Sequence, residues 1–248
     1  MRLGVIVPTY NERENIETLI DRVRSAVPDA AVLVVDDKSP DGTAEVVRGI
    51  QARAPGVDLL VRAGKLGFRS AYLDGFRRML QNPSIEAVLM MDADLSHDPG
   101  AIPEMIRRLP GHDMVIGSRY THGGRIDGWG LWRRLLSLFG NMYARTVTGM
   151  PIRDCTAGFL LLRRAIVEKL LTSPIEMAGY AFLMELKHHV WQWNMAIAES
   201  PITFRDRTLG FSKISNSIIR EGIIAPWMLR KQSAGRAPLA AKVGANER

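Results

Sequence analysis

EAVLMMDADLSHDP, residues 86–99, joins a largely apolar run to two aspartates that are one residue apart. A short continuous apolar run is typical of a strand buried on both faces of a sheet, and we predict a strand over 86–94. Two carboxylates this close repel each other, so Asp92 and Asp94 destabilise the protein unless a third group compensates them. The stretch therefore predicts a buried strand that ends in a ligand-binding site.

Other short apolar runs alternate with segments of helical spacing along the first half of the chain. The predicted strands are 3–9, 31–37, 57–62 and 113–119, and the predicted helices are 12–26, 43–53, 69–81 and 100–109. This alternation predicts an α/β fold with a mostly parallel sheet flanked by helices. Ligands of such folds bind beyond the carboxyl ends of the strands. The polar segments PTYNERE (8–14), DDKSPDGT (36–43) and DADLSHD (92–98) lie at those predicted ends.

Composition narrows the class of protein. The 248 residues are 46% hydrophobic, enough for a sizeable core, and a net charge of +7 favours anionic partners such as nucleic acid, nucleotides, phosphates or an acidic membrane surface. The one cysteine, Cys155, excludes a disulfide framework and fits a reducing compartment. No apolar window approaches the roughly 18 residues of a membrane-spanning helix, and the start of the chain lacks the basic region of a signal peptide.

The two aspartates after the 86–94 run have two interpretations. If the extended geometry persists, Asp92 and Asp94 share a face, and two oxygen donors with only His97 as a nitrogen donor suit Mg²⁺ or Mn²⁺. Alternatively, Asp94 or Ser96 caps a helix that begins near Pro99. The position of the pair at the end of a strand favours the metal site.

The other two polar segments are equally open to a structural interpretation. Asp41 could cap the helix that follows it, and Asn11 with Glu14 could form a capping box, whereas Tyr10 could stack on a nucleobase. The sequence has no GxGxxG after its first strand and no GxxxxGK[ST], so a Rossmann enzyme and a P-loop NTPase are poorly supported.

The ordered set of motifs resembles family 2 glycosyltransferases, and more specifically the polyprenol-phosphate (dolichol-phosphate) mannose synthases. The motifs that carry the resemblance are PTYNERENI (8–16), VVDDKSPDGT (34–43), MDADLSHDP (91–99), GSRY (117–120), DCTAGFLLLRR (154–164) and FRDRTLGFSK (204–213). The resemblance implies a GT-A fold and inverting transfer of mannose from GDP-mannose to a polyprenyl monophosphate. It also implies that the positive charge of the chain serves to bind nucleotide, phosphate and membrane rather than nucleic acid.

The resemblance also implies which residues bind the donor. Those that would hold the guanosine end are Pro8, Tyr10, Glu12, Val35 and Asp37. The diphosphate would be bound through Mg²⁺ or Mn²⁺ by Asp92, the backbone at Ala93 and Asp94. Asp94 is also counted among the catalytic residues. The family often has Gln where Ser96 stands, so this third metal ligand is expected to be weaker or replaced by water.

The acceptor chemistry explains why cations matter more than a general base. A phosphate monoester has a second pKa near ~6 and is already largely anionic at neutral pH, so its oxygen needs no base. Along the predicted helix 129–145, Arg133, Ser137 and Asn141 form one polar stripe beside an apolar stripe, a pattern that also fits a helix packed on the sheet with a solvated face. With the resemblance, Arg119, Arg133 and Ser137 become the expected clamp on the acceptor phosphate. Arg207 and Lys213 would close over the donor phosphates, and Arg119 is counted among the donor-binding residues as well.

Two amphipathic stretches, 129–145 and 217–231, predict how a chain without a spanning segment reaches a lipid substrate. The second is interrupted by Pro226 and predicts a pair of interfacial helices, unless it packs on the domain or on a second copy. We expect peripheral binding at the cytoplasmic face of the membrane, with or without a membrane-spanning partner protein. The expected organisation is a catalytic domain over 1–214, interface helices over 215–232 and a disordered basic tail over 233–248.

Two other functions remain open at this point. Within the same fold, the chain could be a polyprenol-phosphate glucosyltransferase that uses UDP-glucose. From another class, it could be a non-catalytic membrane-binding module. The presence of Asp92, Asp94, Arg119 and Arg207 argues against the module. Glu185 receives no role from the sequence.

Overall fold

The computed structural model describes residues 1–206 and 216–233. The strands are β1 (Arg2–Thr9), β2 (Ala31–Asp36), β3 (Val57–Val61), β4 (Ile85–Met90), β5 (Met114–Ser118), β6 (Arg125–Asp127), β7 (Leu160–Arg163), β8 (Ile197–Pro201) and β9 (Thr203–Arg205). The helices are α1 (Arg13–Ala26), α2 (Thr43–Arg53), α3 (Phe68–Leu80), α4 (Ile102–Arg108), α5 (Leu131–Thr148), α6 (Arg164–Leu171), α7 (Gly179–Gln192) and α8 (Asn216–Ser233), with a 3₁₀ turn at Pro99–Ala101. The five strands and four helices predicted in the first half are confirmed.

The central sheet has the strand order β3-β2-β1-β4-β7-β5-β8. Its neighbouring strands are parallel, except that β7 runs antiparallel to both β4 and β5. The predicted mostly parallel sheet is therefore confirmed. The short strands β6 and β9 form a separate parallel pair.

Apolar side chains fill the space on both faces of the sheet. Along β4, Val88 and Met90 belong to one core cluster, whereas Ala87 and Leu89 belong to the other. Side chains of α1, α2 and α4 pack in the second cluster, and those of α3, α6 and α7 pack in the first. Because successive side chains of a strand point to opposite faces, this division explains why the strands are apolar at nearly every position.

The predicted strand over 86–94 is too long, because β4 ends at Met90. The chain turns within the aspartate segment: Leu95 has a φ of 62°, in the left-handed region, and the Asp94 carboxylate accepts a hydrogen bond from the Ser96 N–H at 3.0 Å. Side chains short enough to bond to the local backbone favour turns over strands. Asp92 and Asp94 therefore lie in a turn rather than on one face of a strand.

The C-terminal stretch forms one helix, so the predicted pair of helices is wrong. Pro226 lies inside α8, where it removes one backbone hydrogen bond. Ala225 and Leu229 are buried against the domain, and α8 packs on α5 and α7. This packing stabilises the helix on both sides of the proline. No helix in the described parts of the chain is long and apolar enough to cross a membrane.

Candidate active site

The polar segments predicted at the strand ends lie along one edge of the sheet. The parallel strands β1, β2, β4 and β5 all end at this edge, and β7 begins there because it runs in the opposite direction. The sheet order therefore places the segments after β1, β2, β4 and β5 next to the segment before β7.

The predicted guanosine site lies at the ends of β1 and β2. Asp37 is almost fully buried, and its carboxylate accepts hydrogen bonds from the Arg62 side chain at 2.6 Å and from the Leu66 N–H at 3.2 Å. The Lys65 ammonium lies 4.0 Å from the centre of the Tyr10 ring. These contacts hold the segment after β3 against the ends of β1 and β2, which makes one wall of the candidate nucleotide site.

The remaining residues predicted for the guanosine end have different environments. Pro8, Tyr10 and Glu12 are partly exposed at or after the end of β1. Val35 is completely buried in the core beneath α3, and Pro8 is its partner in the parallel ladder. A donor contact at Val35 would therefore be made by its main chain.

The turn after β1 does not form the capping box that was one interpretation of its sequence. Glu12, not Asn11, is the residue that flanks α1, and its carbonyl accepts from the N–H groups of Asn15 and Ile16. Asn11 has a left-handed φ of 61°, and its N–H donates to Ser39 Oγ at 3.0 Å. The Asp41 carboxylate accepts from the N–H groups of Thr43 and Arg13, each at 3.0 Å. Asp41 therefore stabilises the start of α2 and also ties it to α1.

The aspartate segment after β4 offers oxygen donors. Asp92 is half-buried, and its N–H donates to His97 Nδ1 at 3.1 Å, whereas Asp94 and Ser96 are buried. Ser96 Oγ is shielded from solvent and has no hydrogen-bond partner among the residues that the structure describes. Two carboxylates and an unsatisfied hydroxyl fit a hard divalent cation such as Mg²⁺ or Mn²⁺. Among the described residues, no three His, Cys, Asp or Glu side chains form a complete metal-binding cluster, so such an ion would need further ligands from a substrate.

Arg119 follows β5 and is held by the buried carboxylate of Asp154, a residue without an individual role in the sequence motifs. Its Nε and Nη2 donate to the two oxygens of Asp154 at 2.8 and 2.7 Å, and Nη2 also donates to Thr156 Oγ1 at 2.8 Å. Asp154 is completely buried. Burial acts to raise the pKa of the Asp154 carboxyl, but the Arg119 guanidinium outweighs it and holds that pKa below its usual value. The pair is a fixed, planar contact that orients Arg119.

Arg133, on the first turn of α5, has a similar arrangement. Its Nη1 lies 3.0 Å from both oxygens of Asp206, and its guanidinium lies 4.1 Å from the centre of the Trp129 ring. Arg119 also lies against this ring, at 5.6 Å. Trp129 therefore contacts both guanidinium groups that were predicted to clamp the acceptor phosphate.

The polar stripe of α5 faces the domain and its apolar stripe faces outward. Asn141 is buried, and its side chain donates to the Ser137 carbonyl at 2.8 Å and accepts from the Thr156 N–H at 3.3 Å. Trp132 is 78% exposed and Phe139 is 58% exposed. The polar stripe is therefore not the solvated face of this helix.

A cavity of about 440 Å³ joins these groups. Its polar wall contains Asp92, Ser96, Arg119, Arg133 and Ser137. Its apolar side is lined by side chains of α5, α7 and α8, which include Leu136, Phe139, Tyr143, Met184 and Ile223. The cavity thus extends from the aspartate segment to the outward-facing side of α5 and α8.

The mouth of the cavity is bordered by an exposed apolar surface, here called the α5–α8 face. Its members are large apolar side chains with at least about a third of their surface exposed: Leu131, Trp132, Leu136, Leu138, Phe139, Met142, Ile223, Ile224, Trp227 and Met228. Tyr143 connects α5 to α8, because its hydroxyl donates to the Ile223 carbonyl at 2.9 Å and accepts from Trp227 Nε1 at 2.8 Å. On soluble proteins, an exposed apolar patch of this extent typically marks a surface that contacts another protein or a membrane.

Several residues of the site were not assigned individually from the sequence. Asp154 and Thr156 lie in the motif DCTAGFLLLRR, and Phe204 and Asp206 lie in FRDRTLGFSK, so the motifs located them without giving their contacts. Glu185 now has a structural role, because its carboxylate accepts from the N–H groups of Glu176 and Met177 at 3.2 and 2.9 Å. Arg207, Lys213 and the tail from 234 onward lie outside the described residues.

Comparisons with known proteins show the family to which the sequence is related. The sequence profile of the family described as Glycosyl transferase family 2 matches residues 4–171. The polyprenol monophosphomannose synthase of Mycolicibacterium smegmatis is 41% identical over 234 residues, which cover 92% of this chain and 88% of that protein. The undecaprenyl-phosphate mannosyltransferase of Micrococcus luteus is 38% identical, with 90% and 92% covered. The dolichol-phosphate mannosyltransferase of Pyrococcus furiosus is 36% identical, with 89% and 61% covered.

A similar fold occurs among solved structures. The glucosyl-3-phosphoglycerate synthase of Mycobacterium tuberculosis, crystallised with phosphoglyceric acid, matches with a TM-score of 0.64 at 21% identity, over 92% of this chain and 79% of that one. An identity this low shows the fold alone. The predicted GT-A fold is thereby confirmed.

Proposed function

The chain belongs to glycosyl transferase family 2, and from that membership we propose that it transfers mannose from GDP-mannose to a polyprenyl monophosphate. The products would be polyprenyl-phosphate mannose, inverted at the anomeric carbon, and GDP. The names of the relatives at 36–41% identity, which all include mannose transfer to or synthesis on a polyprenol or dolichol phosphate, support this substrate pair. Membership of the family makes the chain an enzyme that transfers a sugar. The identities of the donor and of the acceptor are what we propose.

The observation that carries the proposal is the cavity that connects the aspartate segment to the α5–α8 face. We propose that the soluble nucleotide sugar reaches this cavity from the strand ends, where Tyr10 and Asp37 lie. A lipid has access from the other side, where Leu136, Phe139 and Ile223 line the mouth. A site that serves one soluble and one membrane-bound substrate needs two such approaches.

Arg119, Arg133 and Ser137 are proposed to hold the acceptor phosphate beside the anomeric carbon. The monoester is already anionic, so the protein must bring two anions together rather than remove a proton. The fixed guanidinium of Arg119 offsets this repulsion where the phosphate attacks. Arg133 changes partner, from the Asp206 carboxylate to the phosphate, when the acceptor binds.

Asp92, Asp94 and Ser96 are proposed to hold Mg²⁺ or Mn²⁺. When bound, such an ion supplies positive charge to the diphosphate that leaves. The protein's contribution is the turn after β4, in which the hydrogen bond from Asp92 N–H to His97 Nδ1 fixes the backbone. The stacking of His97 on Phe159, 4.9 Å between ring centres, fixes the imidazole in turn.

The α5–α8 face is proposed to rest in the headgroup region of a membrane. Trp132 and Trp227, which are 78% and 50% exposed, are residues that favour the interface between water and lipid. We propose that the chain is peripheral, at the cytoplasmic face, and reaches the phosphate of its acceptor from there. A membrane-spanning partner protein would add to this attachment.

A donor screen tests the proposed function. Purified protein is mixed with a short polyprenyl phosphate and Mn²⁺, and GDP-mannose is compared with UDP-glucose by following radiolabelled lipid product. We expect turnover with GDP-mannose. A preference for UDP-glucose would make the chain a polyprenol-phosphate glucosyltransferase, and no turnover with any sugar nucleotide would contradict the proposed pair of donor and acceptor.

Replacing Arg133 by Ala tests the acceptor clamp. We expect the apparent KM for polyprenyl phosphate to rise roughly ten- to a hundredfold, because a charge-assisted hydrogen bond contributes about 1.5–3 kcal/mol. The affinity for GDP-mannose, measured by calorimetry, should stay within about twofold. The neighbouring Arg134→Ala is the matched control, since Arg134 is exposed and donates to the Ile126 carbonyl. Weaker GDP-mannose binding in Arg133→Ala would place this arginine on the donor instead.

A further inference from the structure

One titratable group beneath the site has no part in the mechanism above. Lys187 lies on α7, and its side chain is completely buried. Its Nζ donates to three backbone carbonyls: those of Cys155 at 3.1 Å, Ala157 at 2.6 Å and Leu183 at 3.2 Å. An ammonium group has three N–H donors, so these carbonyls use all of them.

Two of the three carbonyls belong to the turn at residues 154–158, here called the pre-β7 turn. This turn carries Asp154 and Thr156, which hold the Arg119 guanidinium. It also carries Gly158, where a Cβ would lie 3.9 Å from Asp92 Oδ1 and 3.6 Å from His97 Cε1. The turn therefore touches both the arginine and the aspartate side of the cavity, and Lys187 holds it from below.

We propose that Lys187 is a positioning residue for sugar transfer, whose ammonium group fixes the pre-β7 turn and through it the Arg119 guanidinium. This inference rests on the proposed function only in that Arg119 is taken to act on a substrate phosphate. Lys187 itself touches no substrate, because it is not among the residues that line the cavity.

The charge of Lys187 depends on pH in the range where the enzyme can be assayed. Burial lowers the pKa of Lys187 to about 8. The carboxylates of Asp154 and Glu199 act in the opposite direction and raise this pKa, whereas the positive charge of Arg119 lowers it further. Burial also raises the pKa of Cys155 to about 12. On α7 itself, burial lowers the pKa of His188 to about 4, so this neighbour stays neutral.

Loss of the proton would loosen the turn. A neutral amine has two N–H groups for three carbonyls, and its lone pair faces the third. Turnover should therefore fall as the pH rises through about 8. Stability should respond in the opposite direction. The pKa of Lys187 is about 8 in the folded protein and near 10.5 when exposed, so the unfolded chain binds more protons between these values and the contribution of Lys187 to stability rises with pH there.

The experiment compares the wild type, Lys187→Met and the control Lys169→Met, whose lysine packs on Trp193 outside the cavity. The value of kcat is measured from about pH 6.5 to pH 10, together with the urea midpoint of unfolding. For the wild type we expect kcat to fall by up to about tenfold per pH unit above pH 8, as for one essential proton. For Lys187→Met we expect kcat at pH 7 to be roughly ten- to a hundredfold lower, with no fall above pH 8. The difference in urea midpoint between wild type and variant should grow in favour of the wild type above pH 8.

Several results would overturn the proposal. One is a Lys187→Met enzyme with the wild-type kcat at pH 7, and another is the same alkaline fall in wild type and variant. If the variant does not fold, the wild type decides alone: a constant kcat between pH 8 and 10 contradicts the proposal. Amide hydrogen exchange of residues 154–158 at pH 7, faster in Lys187→Met than in Lys169→Met, tests the hold on the turn without any substrate. If the wild type turns over no sugar nucleotide, the proposed function is refuted. The hydrogen exchange of residues 154–158 then still tests whether Lys187 holds the turn.

Discussion

Asp94→Asn is expected to lower kcat/KM for mannose transfer by a hundredfold or more, while the protein remains folded. The carboxamide keeps the shape of the side chain and can still accept from the Ser96 N–H, but it has no charge with which to bind a divalent ion. Removal of one well-placed electrostatic group of this kind typically costs on the order of a hundred- to a thousandfold in rate. The thermal midpoint should not fall, because the substitution relieves the repulsion between Asp92 and Asp94.

The measurement for Asp94→Asn combines steady-state kinetics with the binding of Mn²⁺ in the presence of GDP. Asp98→Asn is the control, because Asp98 also accepts a backbone hydrogen bond, from the Gly100 N–H, but lies outside the cavity lining. We expect the control to keep most activity and Mn²⁺ affinity. Full wild-type activity in excess chelator would show that the aspartate segment acts without a metal.

Asp154→Asn is expected to lower the free energy of unfolding by about 3–5 kcal/mol and to remove most activity. The substitution leaves the buried Arg119 guanidinium without its counter-charge, and breaking one partner of a buried ion pair has an effect of that size. The pair also gives a pH dependence. Because the pKa of Asp154 is lowered in the folded protein, its stabilisation is present above the unfolded value of about 4 and is lost as the pH falls below it.

Urea unfolding at pH 7 and at pH 3 measures both effects. The matched control is Glu168→Gln, which breaks the more exposed pair between Arg164 and Glu168 on α6. Such surface pairs contribute at most about 1 kcal/mol, so this variant should unfold almost like the wild type. Equal losses for Asp154→Asn and Glu168→Gln would mean that the Arg119 pair is solvated in solution.

The sequence predicted the elements of the fold better than their ends. The periodicity of apolar residues located β1 to β5 and α1 to α4 because it depends only on which faces are buried. The end of β4 was placed too late, because the hydrogen bond from Ser96 N–H to Asp94 competes locally with the strand. The single helix α8 was missed because the rule that proline ends a helix ignores packing against neighbours, here through Leu229.

For the site, sequence motifs located segments but not their contacts. Arg119 and Arg133 were singled out as cations for the acceptor phosphate, yet each already lies against a carboxylate. Asp154 is 35 positions from Arg119 and Asp206 is 73 positions from Arg133. Pairings over such separations depend on the order of the strands, and local sequence patterns carry no information on that order.

The reversed direction of β7 makes the site unequally sensitive to insertions and deletions. Leu160, the first residue of β7, is the ladder partner of Met90 and of Ile116 at the edge where β4 and β5 end. A parallel strand would have carried the pre-β7 turn to the opposite edge of the sheet. Changes in chain length just before Leu160 therefore alter the wall of the cavity, whereas changes just after Arg163 fall on the far side of the sheet. The length of the chain before this strand is therefore tied to the geometry of the site, whereas its length after the strand is constrained by the packing of α6 in the core.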